Sequence, residues 1–197
     1  MPSSNPNPRN QINLAHLNCK GIYSKIQEIR QYLQITTPTI LCTTETWLST
    51  REPTLRNYTS YWKNRDNFGG GVGISVLNEA VARKFDIRSY NGGVLEFLAI
   101  EIYSNNRGWI KILCLYNPCK CVTKQEFKFY LNQLGNTFVI MGDLNAHSPY
   151  LDGKFHNRSN TTGLVLEDLI LNQNLVLINA PDAPTYVDYK ITVSYLS

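Results

Sequence analysis

The segment Phe138–His147, FVIMGDLNAH, constrains this chain more than any other. Four consecutive apolar residues, Phe138 to Met141, are too few for a helix and read as a buried β-strand. Gly142 breaks the run, and Asp143 and Asn145 follow with one residue between them. A strand that runs out into a polar loop leaves those side chains at the rim of a sheet, where α/β proteins hold ligands. A carboxylate and a carboxamide at a rigid strand end suit a water molecule or metal ion beside a phosphate. The same residues serve equally well to close a strand with an Asx turn. The rest of the chain has to decide between the two.

Two earlier segments repeat the arrangement. Ile12, Leu14 and Leu17 mark a short strand that ends at Asn18, and Cys19-Lys20-Gly21 makes the turn out of it. Ile22, Ile26, Ile29 and Leu33 then recur at helical spacing. After Pro38, the β-rich TILCTT leads to Glu45. The β–α–β order makes the two strands parallel neighbours, which puts Asn18 and Glu45 on one edge of a sheet. Tyr58–Trp62 and Val72–Leu77 read as strands joined by a turn at Gly69-Gly70-Gly71. That glycine run lacks the Lys-Ser/Thr of a P-loop and precedes a strand, so it is a hairpin connection. Leu95–Tyr103 and Ile110–Tyr116 form a second hairpin, ending at Tyr116. Thr123 and Glu126 have capping-box spacing ahead of a helix to Leu134. Beyond FVIMGDLNAH come a loop from Ser148 to Thr162, a helix over Gly163–Gln173, strands at Leu175–Asn179 and Ile191–Leu196, and a turn at Pro181–Tyr186 between them.

The 197 residues suffice for one domain with its own core. The polar, Pro-rich residues 1–10 read as a disordered lead-in, and residues 11–197 as the domain. No apolar run approaches a membrane span or the core of a secretory signal. The cysteines Cys19, Cys42, Cys114, Cys119 and Cys121 are odd in number, which points to reduced thiols in the cytoplasm or nucleus rather than secretion. Cys42 and Cys114 read as small buried residues, and no cysteine spacing matches a zinc site. A net charge of +4 is compatible with a polyanionic partner without requiring one. The architecture that fits is α/β, two mixed sheets packed face to face with helices outside.

Four strand ends therefore carry Asn18, Glu45, Tyr116, and Asp143 with Asn145. Glu45 is a hard oxygen ligand for Mg²⁺. Asp143 can orient or deprotonate an attacking water. Asn18 and Asn145 can hold metal-bound water or phosphate oxygens, and Tyr116 offers a hydroxyl to a phosphate. Together they compose a metal-assisted phosphodiesterase site. Arg51, Lys63, Arg65, Lys120, Lys154 and Arg158 fall in loops and are the cations available to a DNA backbone.

LNCKG, TETWL, the RD…GGGVGI hairpin, LYNP, GDLNAH and APTYVD, in that order, resemble the endonuclease/exonuclease/phosphatase superfamily. More narrowly, they are similar to the apurinic-endonuclease-like domain of non-LTR (LINE, jockey-like) retrotransposons, over Gln11–Ser197. The resemblance implies a four-layered α/β sandwich, a Mg²⁺ site (with Mn²⁺ as a substitute), and a nick in target DNA whose 3′-hydroxyl primes reverse transcription. It implies a reverse transcriptase domain of the same element as partner. It places Asn18 and Glu45, with Asp143 nearby, on the metal side, and Tyr116 on the phosphate. Asp143 falls on the water and Asn145 on the phosphate, and Thr185 in the DNA pocket. His147 falls where this branch often carries His and is taken as structural; His16 and His156 match no function and are taken as surface or core residues.

The family pattern continues with Ser-x-(Ile/Leu)-Asp and then Ser-Asp-His. Here Ser194-Tyr195-Leu196 opens the first of these and Ser197 stands at its Asp position. On the family pattern the sequence is expected to be truncated, and the chain by itself to nick DNA poorly. A catalytically dead remnant that keeps the fold and weak DNA binding is the alternative reading. A phosphatase or phospholipase of the same superfamily has no lipid- or inositol-recognising feature to support it.

Overall fold

The computed structural model describes residues 11–65, 69–152, 158–179 and 192–195. Two sheets divide the strands. The first has the order β3-β4-β2-β1-β9, from Tyr58–Lys63, Val72–Leu77, Ile40–Thr44, Asn13–Asn18 and Thr192–Tyr195. The second has the order β5-β6-β7-β8, from Ala82–Lys84, Glu96–Ser104, Gly108–Tyr116 and Phe138–Asp143. Each is mixed. β1 runs parallel to β2, with Asn18 opposite Thr44, and β7 runs parallel to β8, with Tyr116 opposite Asp143. The hairpins β3–β4 and β6–β7 are antiparallel, as the turn signals predict.

Alternation along the strands builds the layers. Leu14, Ile40, Cys42, Val72, Ile74 and Val76 from one sheet meet Leu98, Ile100, Ile102, Ile112 and Cys114 from the other, with Val139 and Met141 beside them. The opposite face of the first sheet, through Ala15 and Leu41, packs on Ile22, Ile29 and Leu33 of helix α1, Ile22–Thr36. The opposite face of the second sheet, through Phe97, Leu113 and Leu115, packs on α2, Lys124–Leu134, and α4, Thr161–Asn172. Helix, sheet, sheet, helix is the four-layered sandwich expected from the motifs.

The structure departs from the sequence reading in five places. Among the described residues Leu175–Asn179 pairs with no strand; Val176 is 84% exposed there, so the apolar spacing of this segment is not a sheet pattern. The predicted loop after Ser148 holds a one-turn helix, α3, Pro149–Asp152. The short strand β5 went unread because three residues, ARK, carry no alternation. β8 is half-buried rather than buried, because among the described residues it forms the edge of its sheet. The capping box is only half made. Thr123 Oγ1 accepts from Glu126 N (3.1 Å), but the Glu126 carboxylate turns away to accept from Val94 N (2.8 Å) and Leu95 N (3.0 Å). Glu126 is thereby buried and satisfied by the loop leading into β6. Residues 1–10, Pro181–Tyr186, Lys154, His156 and Thr185 lie outside the described residues.

Gly142 sets the exit of β8. Its φ is +141°, and a Cβ there would run into the backbone of Leu115, its register partner on β7. Backbone cannot yield as a flexible side chain can. Gly142→Ala is expected to lower unfolding stability by at least about 2 kcal/mol, read as a lower urea midpoint with unchanged slope.

Candidate active site

The polar cluster is the continuation of the inter-sheet core. Leu14 and His16 lead in steps of two to Asn18, Ile40 and Cys42 to Thr44, Ile112 and Cys114 to Tyr116, and Val139 and Met141 to Asp143. Each of these four strands thus ends in a polar residue on the face that lines the core. Parallel pairing within each sheet brings those ends to one rim.

At that rim the Asn18 Nδ2 group donates to Glu45 Oε1 and to Asp143 Oδ2, both at 2.7 Å. Asp143 belongs to the second sheet and Glu45 follows β2 of the first, so one amide ties the two sheets through two carboxylates. The two acceptor oxygens can be no further apart than twice that bond length. Asn18 Oδ1 accepts from Lys20 N at 3.2 Å, which fixes which end of the amide faces the carboxylates. Tyr116 is buried and hydrogen-bonded to Glu45. Burial first, then the charge and hydrogen bond of Glu45, then Glu96 and Asp143, push its phenol far above the ordinary tyrosine range, so it remains a hydroxyl.

Glu45 and Asn145 both have left-handed backbones, φ 51° and 45°, a conformation that costs a residue with a Cβ about 1 kcal/mol or more. The surrounding loops hold Glu45 there. Gly21 N donates to Glu45 O (2.8 Å), Ile22 N to Thr46 O (3.0 Å), Thr46 N to Gly71 O (3.3 Å) and Trp47 N to Gly70 O (2.9 Å). Asn145 is held by donating its N to Asp143 Oδ1 (3.1 Å) and its Nδ2 to Asn117 O (2.7 Å).

Three residues that support the site were not singled out from the sequence. Asn117 is fully buried; its Nδ2 donates to Lys120 O and Leu144 O, both at 2.9 Å, and its Oδ1 accepts from Lys120 N at 2.8 Å. Asn160 caps α4 through Gly163 N (2.7 Å) while its Nδ2 donates to Asn145 O (2.7 Å) and its Oδ1 accepts from His147 N (3.1 Å). Glu96, opposite Tyr116 in register, accepts from Gly71 N at 2.5 Å and pairs with Arg65 at 3.3 Å. The Asn-Pro pair after Tyr116 was a usable signal for Asn117. The other two depend on long-range packing.

The structure therefore brings together Asn18, Glu45, Tyr116, Asp143 and Asn145. Arg65 is committed to Glu96, while Arg51, Lys63, Lys120 and Arg158 are exposed. His16, expected on the surface or in the core, lies one step below Asn18, with Nε2 3.2 Å from Thr44 Oγ1. Among the described residues no three His, Cys, Asp or Glu side chains gather in one place. The donor set here is instead two carboxylates, an amide and a phenol, whose named partners are neutral. Two carboxylate oxygens at this spacing fit Mg²⁺, which is characteristically held by one or two carboxylates and keeps several waters.

Comparison with known proteins agrees. Residues 110–194 match the family described as Endonuclease-reverse transcriptase. The chain is 26% identical over 194 residues to the probable RNA-directed DNA polymerase from transposon X-element of Drosophila melanogaster, covering 91% of this chain and 21% of that protein. It spans about a fifth of that relative's length. Among solved structures it is similar to the endonuclease domain of TRAS1, a telomere-specific non-LTR retrotransposon, with TM-score 0.69 and 15% identity over 92% of this chain and 81% of that one. It is also similar to the AP endonuclease LMAP from Leishmania major, with TM-score 0.59 and 13% identity over 87% and 69% of the two chains. At such identities the structural likenesses speak to the fold. The fold expected from the motifs is borne out, and in sequence the chain is similar to retrotransposon-encoded proteins.

Burial holds the His16 imidazole neutral, lowering its pKa from 6.5 to about 4 against the opposing pull of Asp143. Between those values the unfolded chain takes up a proton that the folded chain refuses. Stability from this group is complete above pH 6.5, falls as the pH drops, and levels off near pH 4. Denaturation midpoints measured across that window are expected to fall less steeply in His16→Gln than in the unsubstituted chain.

Proposed function

We propose that this chain, which has the fold of the endonuclease/exonuclease/phosphatase superfamily and is related in sequence to retrotransposon-encoded enzymes, is a Mg²⁺-dependent DNA endonuclease domain. One observation carries the reading. Two carboxylates from different sheets converge on a single amide at the open end of the core. Such a concentration of negative charge is costly unless a positive ion completes it.

Glu45 and Asp143 would hold the ion, with the Asn18 amide fixing the two carboxylates relative to each other. When bound, the ion polarises a phosphoryl oxygen and offsets the charge that builds on the phosphate. The rest of the chemistry falls to the chain. Asp143, its Oδ1 anchored by Asn145 N, is placed to orient an attacking water and accept its proton. Tyr116 keeps its proton and can donate it in a hydrogen bond to a phosphate oxygen. Asn145, whose backbone and side chain lock Asp143 to the Asn117 loop, sets the distance between water and phosphate. Thr185 is assigned to the DNA by resemblance, and Lys154, Arg65 and Arg158 as loop cations available to its backbone. The curated relative is named an RNA-directed DNA polymerase from a transposon. That supports a nick that primes reverse transcription by a polymerase domain of the same element, acting where the target DNA is.

Titration with Mn²⁺ tests the metal site without reference to rate. Glu45→Gln and Asp143→Asn are each expected to weaken binding by about tenfold or more, and equal affinity in all three proteins would remove these carboxylates from the site. In supercoiled-plasmid nicking with Mg²⁺, Asp143→Ala is expected to cost about 10²–10⁴ in rate. Affinity for duplex DNA is expected to fall with salt between about 50 and 200 mM as phosphate contacts release counterions. Binding insensitive to salt would contradict a backbone-tracking surface.

A further inference from the structure

Trp47 stands two residues beyond Glu45 and is 42% exposed. A single exposed aromatic needs no explanation, but the backbone around this one does. Trp47 itself has φ 52°, in the left-handed region that an indole-bearing residue rarely adopts. Its N–H is held by Gly70 O at 2.9 Å. One glycine at positive φ makes room for the ring: a Cβ on Gly21 would stand 2.9 Å from Trp47 Cε3. The Gly69–Gly71 turn is in turn pinned from the second sheet, by Glu96 on Gly71 N and Arg65 on Glu96. Three loops thus converge on one indole, two residues beyond the metal-side carboxylate, and leave 42% of it in solvent.

The neighbouring side chains carry the other half of the pattern. Lys20 and Arg51 are exposed on the same pair of loops, and Tyr23, 47% exposed, joins them by donating its hydroxyl to Arg51 O at 3.0 Å. Aromatic planes among cations, on rigid backbone, are how proteins hold bases of unpaired nucleic acid. Resting on the nuclease reading above, we infer that Trp47 is a stacking platform for a nucleobase unstacked beside the cleaved phosphate. DNA at this site is then held open rather than as an intact duplex. The fixed ring loses little freedom on binding, so the stacking contributes to affinity nearly in full.

The test compares two oligonucleotides of equal length and charge, one single-stranded DNA and one with stable abasic residues throughout. Both are titrated by fluorescence anisotropy against the unsubstituted chain, Trp47→Phe and Trp47→Leu. Trp47→Leu is expected to weaken the base-bearing oligonucleotide by about tenfold to a hundredfold and the abasic one less than about twofold, with the salt dependence unchanged in both. Trp47→Phe, which keeps a ring, is expected to retain most of the affinity. Independently of any loss of stability, a Trp62→Phe/Trp109→Phe background leaves Trp47 as the sole indole, and its emission is expected to quench with the base-bearing oligonucleotide alone. Equal losses on the two oligonucleotides, or quenching by both, would overturn the platform and leave the nuclease reading standing. A chain that binds neither would overturn both.

Discussion

The Asn18 amide is the contact on which the rest of the site depends. It donates both hydrogens to carboxylates that would otherwise repel each other, one from each sheet. Glu45 and Asp143 are brought close by the one donor between them. Everything else at the rim keeps that amide in register: Lys20 N on its oxygen, β2 beside β1, and the left-handed Glu45 held by the loop after β1 and the turn before β4. The strain at Glu45 and Asn145 is affordable because the two sheets and three loops over-determine it.

The site is also an economical use of sheet geometry. Strands that face one another across a core must alternate, and the alternation does not stop where the core does. The residue two steps beyond the last apolar one inherits the inward direction and faces whatever lies at the open end. Asn18, Thr44, Tyr116 and Asp143 are all such residues. Their convergence is a property of the two-sheet arrangement, and it explains why residues scattered over more than a hundred positions meet within hydrogen-bonding distance.

For the same reason much of the site was legible in the sequence. A strand followed by a polar residue is a local signal, and β–α–β order with parallel pairing converts four local signals into one rim. What stayed hidden was whatever depends on contacts between distant segments. Glu126 has the spacing of a capping box, yet it serves the loop before β6, because Val94 and Leu95 present two N–H groups to its carboxylate. Glu96 reads as the first residue of a strand and turns out to hold the turn of the other sheet. Leu175–Asn179 has the composition of a strand without a partner to pair with. His16 looked unremarkable because its neighbour Asp143 lies far along the chain.

The separation that hid these contacts also orders the assembly of the molecule. Asn18 and Asp143 are 125 positions apart, and β1 completes its pairing only with residues 192–195. Closing loops of that size is entropically slow compared with forming the β3–β4 and β6–β7 hairpins. As the chain leaves the ribosome, hairpins and helices can form early, while the strand that carries Asn18 waits with one edge bare. The polar cluster therefore cannot assemble until Asp143 has been synthesised, well after the first helix and both hairpins.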